Sequence, residues 1–196
     1  MPYIVVGLGN PGEEYEHTRH NVGRMVLETI RKRRKFESFE ESSKLKALVS
    51  EGKIGREKVM LLMPETMMNK SGLSVKSLIT SFKKAERLVV VHDDLDLPLG
   101  RFKISFDRGT GGHRGLESIR KTIKTNAYIR IRVGVSPARR GGGVKKPTTE
   151  NQVIDFILGD FRKKEREIID HIARTINEAL ETIIIEGRER AMNEFN

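Results

Sequence analysis

An α/β fold is predicted by three features of the chain. Ile4-Val5-Val6, Val59-Met60-Leu61-Leu62-Met63 and Leu88-Val89-Val90-Val91 are unbroken apolar runs, the pattern of strands covered on both faces. Helical periodicities follow the first run and a later glycine-rich segment: Val22, Met25, Val26 and Ile30, then Leu116, Ile119 and Ile123. A third periodicity, Ile168, Ile169, Ile172, Ala173, Ile176, Ala179, Leu180 and Ile183, predicts one long terminal helix from Lys163 to about Asn193. Strands alternating with helices, at this length and without repeats, predict one domain over residues 1–196. Its core is a mixed, mostly parallel twisted sheet with helices on both faces, the C-terminal one long.

The elements follow in order. Met1 to Val6 reads as a buried strand that runs into Gly7-Leu8-Gly9-Asn10-Pro11-Gly12, where glycines permit sharp turning and Pro11 stiffens the exit. A polar loop ends at His20-Asn21, and Val22 to Arg33 is an amphipathic helix whose basic end complements its dipole. Leu45 to Lys53 alternates like an outer strand, and Val59–Met63 reads as a central one ended by Pro64. Thr66 to Gly72 is a loop opening a helix through Val75, Leu78, Ile79 and Phe82. Leu88 to His92 is the third buried strand, discharging into Asp93-Asp94-Leu95-Asp96-Leu97-Pro98. Arg101 to Phe106 is a half-exposed strand with a basic face, Asp107 to Gly115 a glycine-rich loop, and Arg130 to Val135 a last strand. Arg139 to Pro147 has no periodicity and reads as a mobile basic loop.

Composition narrows the function classes. There is no cysteine, which removes disulfides, thiolate metal sites and a cysteine nucleophile, and suits a reducing cytoplasm. No apolar run reaches membrane-spanning length and no signal-peptide pattern opens the chain, so no membrane partner is expected. Lys and Arg number 37 against 27 Asp and Glu, a net charge of +10. That excess suits a polyanionic partner such as RNA.

In such sheets ligands collect beyond the carboxyl ends of the strands. The three apolar runs deliver Asn10, the Pro64–Asn69 segment and His92-Asp93-Asp94 to one rim, with His20 heading the helix behind the first. An imidazole oriented by a carboxylate takes a proton from water at neutral pH, and carboxamides position a carbonyl or hold developing charge. Other readings compete. Gly7-x-Gly9-x-x-Gly12 matches the dinucleotide fingerprint, but Glu13, Glu14 and Glu16 would face the phosphates, and helix stands where the second strand belongs. His20-Asn21 and Asn69 suit helix caps, and the aspartates suit a turn. His92 and His113 with His20 raise a metal site, though no His-x-His or His-Glu-x-x-His spacing occurs, so no metal or other cofactor is expected.

Four blocks in order carry a resemblance over essentially the whole chain. They are Gly7-Leu8-Gly9-Asn10-Pro11-Gly12 with Tyr15 and Thr18-Arg19-His20-Asn21-x-Gly23; Pro64-x-Thr66-x-Met68-Asn69-x-Ser71-Gly72; His92-Asp93-Asp94-Leu95-Asp96-Leu97-Pro98-x-Gly100; and Gly111-Gly112-His113-x-Gly115-Leu116-x-Ser118-Ile119. With Phe156-x-Leu158-Gly159 ahead of the terminal helix, the chain resembles bacterial-type peptidyl-tRNA hydrolase. The resemblance implies a cytoplasmic, monomeric, metal-independent esterase that frees tRNA from peptide and takes part in ribosome rescue. It implies His20 as general base, Asp93 as its orienting partner, and Asn10 and Asn69 as amides holding substrate and water. Tyr15, Met68, His113 and Arg114 would meet the substrate, and Arg132 would hold the tRNA 5′-phosphate. Two positions depart from the family: Arg114 stands where Asn is usual, and Ser105 where a lysine is common, with Lys103 or Arg108 as replacement cations. The rival on the same scaffold is a non-catalytic RNA-binding protein, like the splicing-factor relatives.

Overall fold

The computed structural model describes residues 1–196. Its strands are β1 (Tyr3–Gly7), β2 (Glu40–Ser42), β3 (Ala47–Ile54), β4 (Glu57–Pro64), β5 (Leu88–Pro98), β6 (Phe102–Phe106) and β7 (Ile129–Ser136). They form one sheet in the order β2-β3-β4-β1-β5-β7-β6. β4, β1, β5 and β7 run parallel, and antiparallel partners close both sides: β3 and β2 on one, β6 on the other. The helices are α1 (Val22–Arg34), α2 (Phe82–Ala85), α3 (Arg114–Ile123), α4 (Glu150–Leu158), α5 (Lys163–Ile185) and α6 (Arg188–Phe195). No helix is long and apolar enough to cross a membrane.

Alternation along the central strands splits the core in two. Val5, Val89, Val91, Ile131 and Val133 face α1 and α5, while Ile4, Val6, Leu88 and Val90 face Leu116 and Ile119 of α3. Beyond α3 that second face carries Arg130, Arg132 and Ser105, and is left as an open wall. The parallel register brings the carboxyl ends of β1, β4 and β5 to one rim, as the apolar runs predict.

Three elements differ from the sequence expectations. β5 does not end at His92: Asp93 and Asp94 pair with Val133 and Gly134 of β7, so the acids sit on a strand, because β7 extends alongside to receive them. The helix expected through residues 75–82 is a 3-10 segment over Met68–Ser74, followed by turns and the single-turn α2. Side chains draw its backbone outward: Gly72 N–H donates to Ser118 Oγ at 2.9 Å and Ser74 Oγ–H to the Lys46 carbonyl at 3.0 Å. The terminal helix breaks at Gly187, whose φ of 97° lets α6 fold back onto β6. β2 and α4 carry no expectation from sequence. Glu40-Glu41-Ser42 has no hydrophobic period to read, whereas α4 opens on a capping box, Thr149 with Gln152, a legible signal that the periodicity reading passes over.

The outer edge of β6 is closed by a side chain. Ile104 N–H donates to Asn196 Oδ1 at 2.7 Å, and Asn196 Nδ2–H donates to the Ile104 carbonyl at 3.0 Å. The amide fills the place of a neighbouring strand's peptide.

Gly23 sets how closely α1 approaches the sheet. A Cβ there would lie 2.4 Å from the Val91 carbonyl oxygen and 2.6 Å from the Leu8 nitrogen, both main-chain atoms that cannot swing aside. This contact lets the turn ahead of α1 hang over the β5 end. Gly23→Ala is therefore expected to destabilise the fold by about 1–3 kcal/mol, despite the ~1 kcal/mol alanine gains over glycine within a helix. Urea unfolding midpoints check this.

Candidate active site

The rim chemistry begins with the 3-10 turn Arg19–Asn21, whose three polar side chains reach in different directions. Arg19 looks away from the rim. Its Nη1–H donates to the Gly159 carbonyl at 3.0 Å, its Nη2 pairs with Glu165 at 3.2 Å, and its guanidinium lies over the Phe156 ring at 4.6 Å. Phe161 N–H donates to the His17 carbonyl at 2.9 Å, completing the seam. The turn is thereby tied to the α4–α5 junction, which explains the Phe156-x-Leu158-Gly159 motif.

Asn21 stands at the N-cap position of α1 without capping it. Its amide reaches across to Asn10 instead: Asn10 N–H donates to Asn21 Oδ1 at 2.8 Å, and Asn21 Nδ2–H to the Asn10 carbonyl at 2.9 Å. Asn10 Oδ1 in turn accepts from Met68 N–H at 2.8 Å. One carboxamide thus joins the β1 and β4 loops, leaving the Asn10 Nδ2 hydrogens for the cleft. Asn69, one residue on, lines the cleft with an exposed side chain.

His20 is the third reach of the turn. Its Nδ1 lies 2.9 Å from Asp93 Oδ1, and both groups are buried. Burial penalises the Asp93 charge, but the attraction of His20 and His113 and their hydrogen bonds hold the carboxyl well below the usual carboxylate range. An ionised oxygen only accepts, so the His20 hydrogen sits on Nδ1 and the Nε2 lone pair is the atom left for the cleft. For His20 itself, burial lowers the pKa, but attraction and hydrogen bonding from Asp93 outweigh it and the net shift is upward. His113 Nε2 meets the same Asp93 oxygen at 2.9 Å, and its Nδ1 accepts from Gly115 N–H at 3.1 Å. Both of its nitrogens are engaged within the protein, so His113, expected to meet the substrate, has no polar ring atom to offer it. The three groups could together face a metal ion, lying within 4.8 Å of one another. Asp93, however, already accepts from both histidines, and the second nitrogen of His113 is held by the first turn of α3, so only His20 Nε2 is left open.

His92 is fully buried beneath. Its Nδ1–H donates to the Asp93 carbonyl at 2.8 Å, and burial together with His113 pushes its pKa down to about 3, so it stays neutral. It belongs to the scaffold.

The cleft, about 1320 Å³, runs from this centre along the open wall of the sheet. One side is apolar, with Tyr15, Met67, Leu95 and the Val153, Ile154 and Ile157 face of α4. The other is basic, with Arg108, Arg130, Arg132 and Lys146. Arg132 Nε–H donates to Asp94 Oδ2 at 2.7 Å, leaving its outer nitrogens free. Lys103, expected as a replacement cation, is exposed on β6 and does not line the cleft, whereas Arg108 does. Sequence reasoning missed Arg130. It faces Ser105 across the β6–β7 pair, and donates from Nη1 to the Gly109 carbonyl at 2.8 Å. Its two-residue spacing from Arg132 on the same strand, which places both side chains on one face, is the signal that would have found it. Arg114 spans from the start of α3 to Glu150 at the start of α4, at 3.1 Å, an exposed pair of small energetic weight.

Fold and cleft define a class: an α/β enzyme with an imidazole–carboxylate pair at the head of a basic groove suited to RNA. The peptidyl-tRNA hydrolase family profile matches residues 4–196. Peptidyl-tRNA hydrolase of Carboxydothermus hydrogenoformans is 40% identical over 195 residues, covering 99% of this chain and 98% of its own. That of Clostridium novyi is 39% identical over 197 residues, covering 99% and 97%. The crystal structure of peptidyl-tRNA hydrolase from Acinetobacter baumannii superposes with a TM-score of 0.87 at 28% identity, covering all of this chain and 94% of that one. The chain belongs to the peptidyl-tRNA hydrolase family.

The electrostatics of the pair give a signed expectation. With Asp93 ionised, the His20 imidazole titrates above 6.5. Asp93→Asn removes the attraction and leaves the burial penalty, so the His20 titration should fall below that of the wild type. Imidazole NMR across pH reads both.

Proposed function

We propose that this chain hydrolyses the ester joining peptide to tRNA, with His20 as general base. His20 Nε2 takes a proton from water as the water attacks the ester carbonyl, and gives it to the ribose oxygen as the ester C–O bond breaks. Asp93 holds the ring in the required tautomer and offsets its transient charge. Asn10 Nδ2 and Asn69 hold the carbonyl and the water, donating to the negative charge that develops on oxygen. Peptide lies along Tyr15, Met68 and the apolar face of α4. The tRNA backbone lies along Arg108, Arg130 and Arg132, where a phosphate oxygen would meet the outer guanidinium nitrogens of Arg132. No metal is required, because imidazole supplies the base at neutral pH. The enzyme acts as a single-domain monomer in the cytoplasm, where aborted translation releases its substrate; every group of the proposed site comes from one chain.

The observation carrying this reading is the 2.9 Å contact between His20 Nδ1 and Asp93 Oδ1 at the head of the cleft. A protein that only bound RNA would have no use for so costly a buried pair, so the contact favours the enzyme over the splicing-factor-like alternative.

His20→Ala is expected to lower turnover of peptidyl-tRNA by about 10²–10⁴-fold with little change in tRNA affinity. Near-wild-type turnover would reject the assignment, and chelator in the same assay tests metal independence. Arg132→Gln is expected to weaken tRNA binding and to flatten the dependence of log K on log salt by about one, the share of one phosphate contact. Binding titrations at several salt concentrations measure that slope.

A further inference from the structure

His113 is the N-cap residue of α3, and it is an unusual one. Its Nδ1 accepts from the N–H groups of Gly115 at 3.1 Å and Leu116 at 3.4 Å. Capping alone calls for Asn, Asp, Ser or Thr, whose short side chains do it better. What none of them can do is accept from a helix at one end and donate at the other. An imidazole can, because its two nitrogens lie on different sides of a rigid ring. The nitrogen that accepts carries no hydrogen, so the hydrogen lies on Nε2, which donates to Asp93 Oδ1 at 2.9 Å. The oxygen it reaches is the one that also receives His20 Nδ1–H.

We propose that His113 is a positioning residue that links the N-terminus of α3 to Asp93, fixing the carboxylate on His20 and moderating its pull on that ring. The inference rests on the reading of His20 as base. Two physical effects are involved. The terminal torsion of an aspartate is soft, so a carboxylate held by one donor can swing. Two donors arriving from separate elements, the turn before α1 and the start of α3, fix the shared oxygen in place. The N–H groups at the helix start also polarise the ring, making Nε2–H a stronger donor and drawing charge from Asp93. Less of that charge is then felt by His20, which keeps its basicity nearer neutral pH, where a general base works best.

The other groups around the ring do not supply this coupling. His92 packs edge-on against His113 at 5.0 Å and is neutral. Arg114, the next residue along α3, acts on His20 through space in the same direction as the proposed effect, but it is exposed and paired with Glu150. Arg130 bears on His92 from β7. Only His113 touches the carboxylate that touches His20.

Two substitutions separate capping from coupling. His113→Asn keeps a capping oxygen but is too short to reach Asp93; His113→Gln keeps a donor near the Nε2 position. His113→Asn is expected to unfold close to the wild type and to lose about 10–100-fold in kcat at little change in KM, the range seen when an outer partner of a catalytic group is removed. Its His20 imidazole titration and the acid limb of its pH–rate profile should both move upward, by roughly one pH unit if a full charge-assisted bond is lost. His113→Gln should restore both toward wild-type values. An unmoved His20 titration in His113→Asn overturns the proposal, whatever happens to turnover. So does a His113→Gln variant as impaired as His113→Asn, which would leave His113 a cap alone. Nitrogen-resolved imidazole spectra of the unsubstituted protein give a test that no folding defect can blur: the Nδ1–H tautomer of His113 would contradict it. Full turnover by His20→Ala would remove the catalytic reading while leaving the coupling, read by NMR, in place.

Discussion

A buried carboxylate is among the most expensive groups a fold can contain, and Asp93 is nearly inaccessible to solvent. Its cost is met by two imidazole N–H groups converging on one oxygen. That requirement dictates much else. His20 must come from a turn held over the β5 end, which needs Gly23 against the sheet below and Arg19 anchored to the α4–α5 junction behind. His113 must come from the first turn of a helix packed on the opposite face. The sheet, the two helical layers and the C-terminal helices are thus all committed to the surroundings of one oxygen atom.

The walls of the cleft differ in polarity. On the proposed reading, peptides, which differ in side chain, lie against the apolar wall, and tRNA, with its uniform charged backbone, against the basic one. The apolar side, built from Met67, Leu95 and α4, sets no polar condition on what lies against it. The basic side is more constrained, because Arg132 is oriented by Asp94 and Arg130 by the Gly109 carbonyl. Arg130 also has its pKa lowered, chiefly by burial. A phosphate would return to it some of the stabilisation that burial removes.

Much of this was readable from the chain alone, for reasons that differ by residue. The three central strands announce themselves because they are covered on both faces, and the parallel register then obliges their ends to share a rim. His20, Asp93, Asn10 and Asn69 could be placed there without coordinates. What could not be read depends on partners distant in sequence. Nothing local in Asp93-Asp94 says that β7 continues beside them, and nothing in Asn21 distinguishes a cap from a clasp on Asn10. His113 is expected against the substrate only from the family resemblance, and its partners on β5 and α3 reveal both nitrogens as occupied. Lys103 shares the sheet face of Arg130 and Arg132, yet it lies exposed on the outermost strand and outside the cleft, and nothing local in the sequence says that β6 is that edge.

The amide of Asn196 on Ile104 bears on how copies of the protein behave toward one another. An outermost strand with free N–H and C=O groups invites another chain to add itself, the first step toward intermolecular β-structure. At the opposite margin β2 is brief and acidic, a poor template. At β6 the defence rests on a single carboxamide occupying the hydrogen-bonding positions that an incoming strand would need. Resistance to self-association at high concentration is thereby entrusted to one side chain.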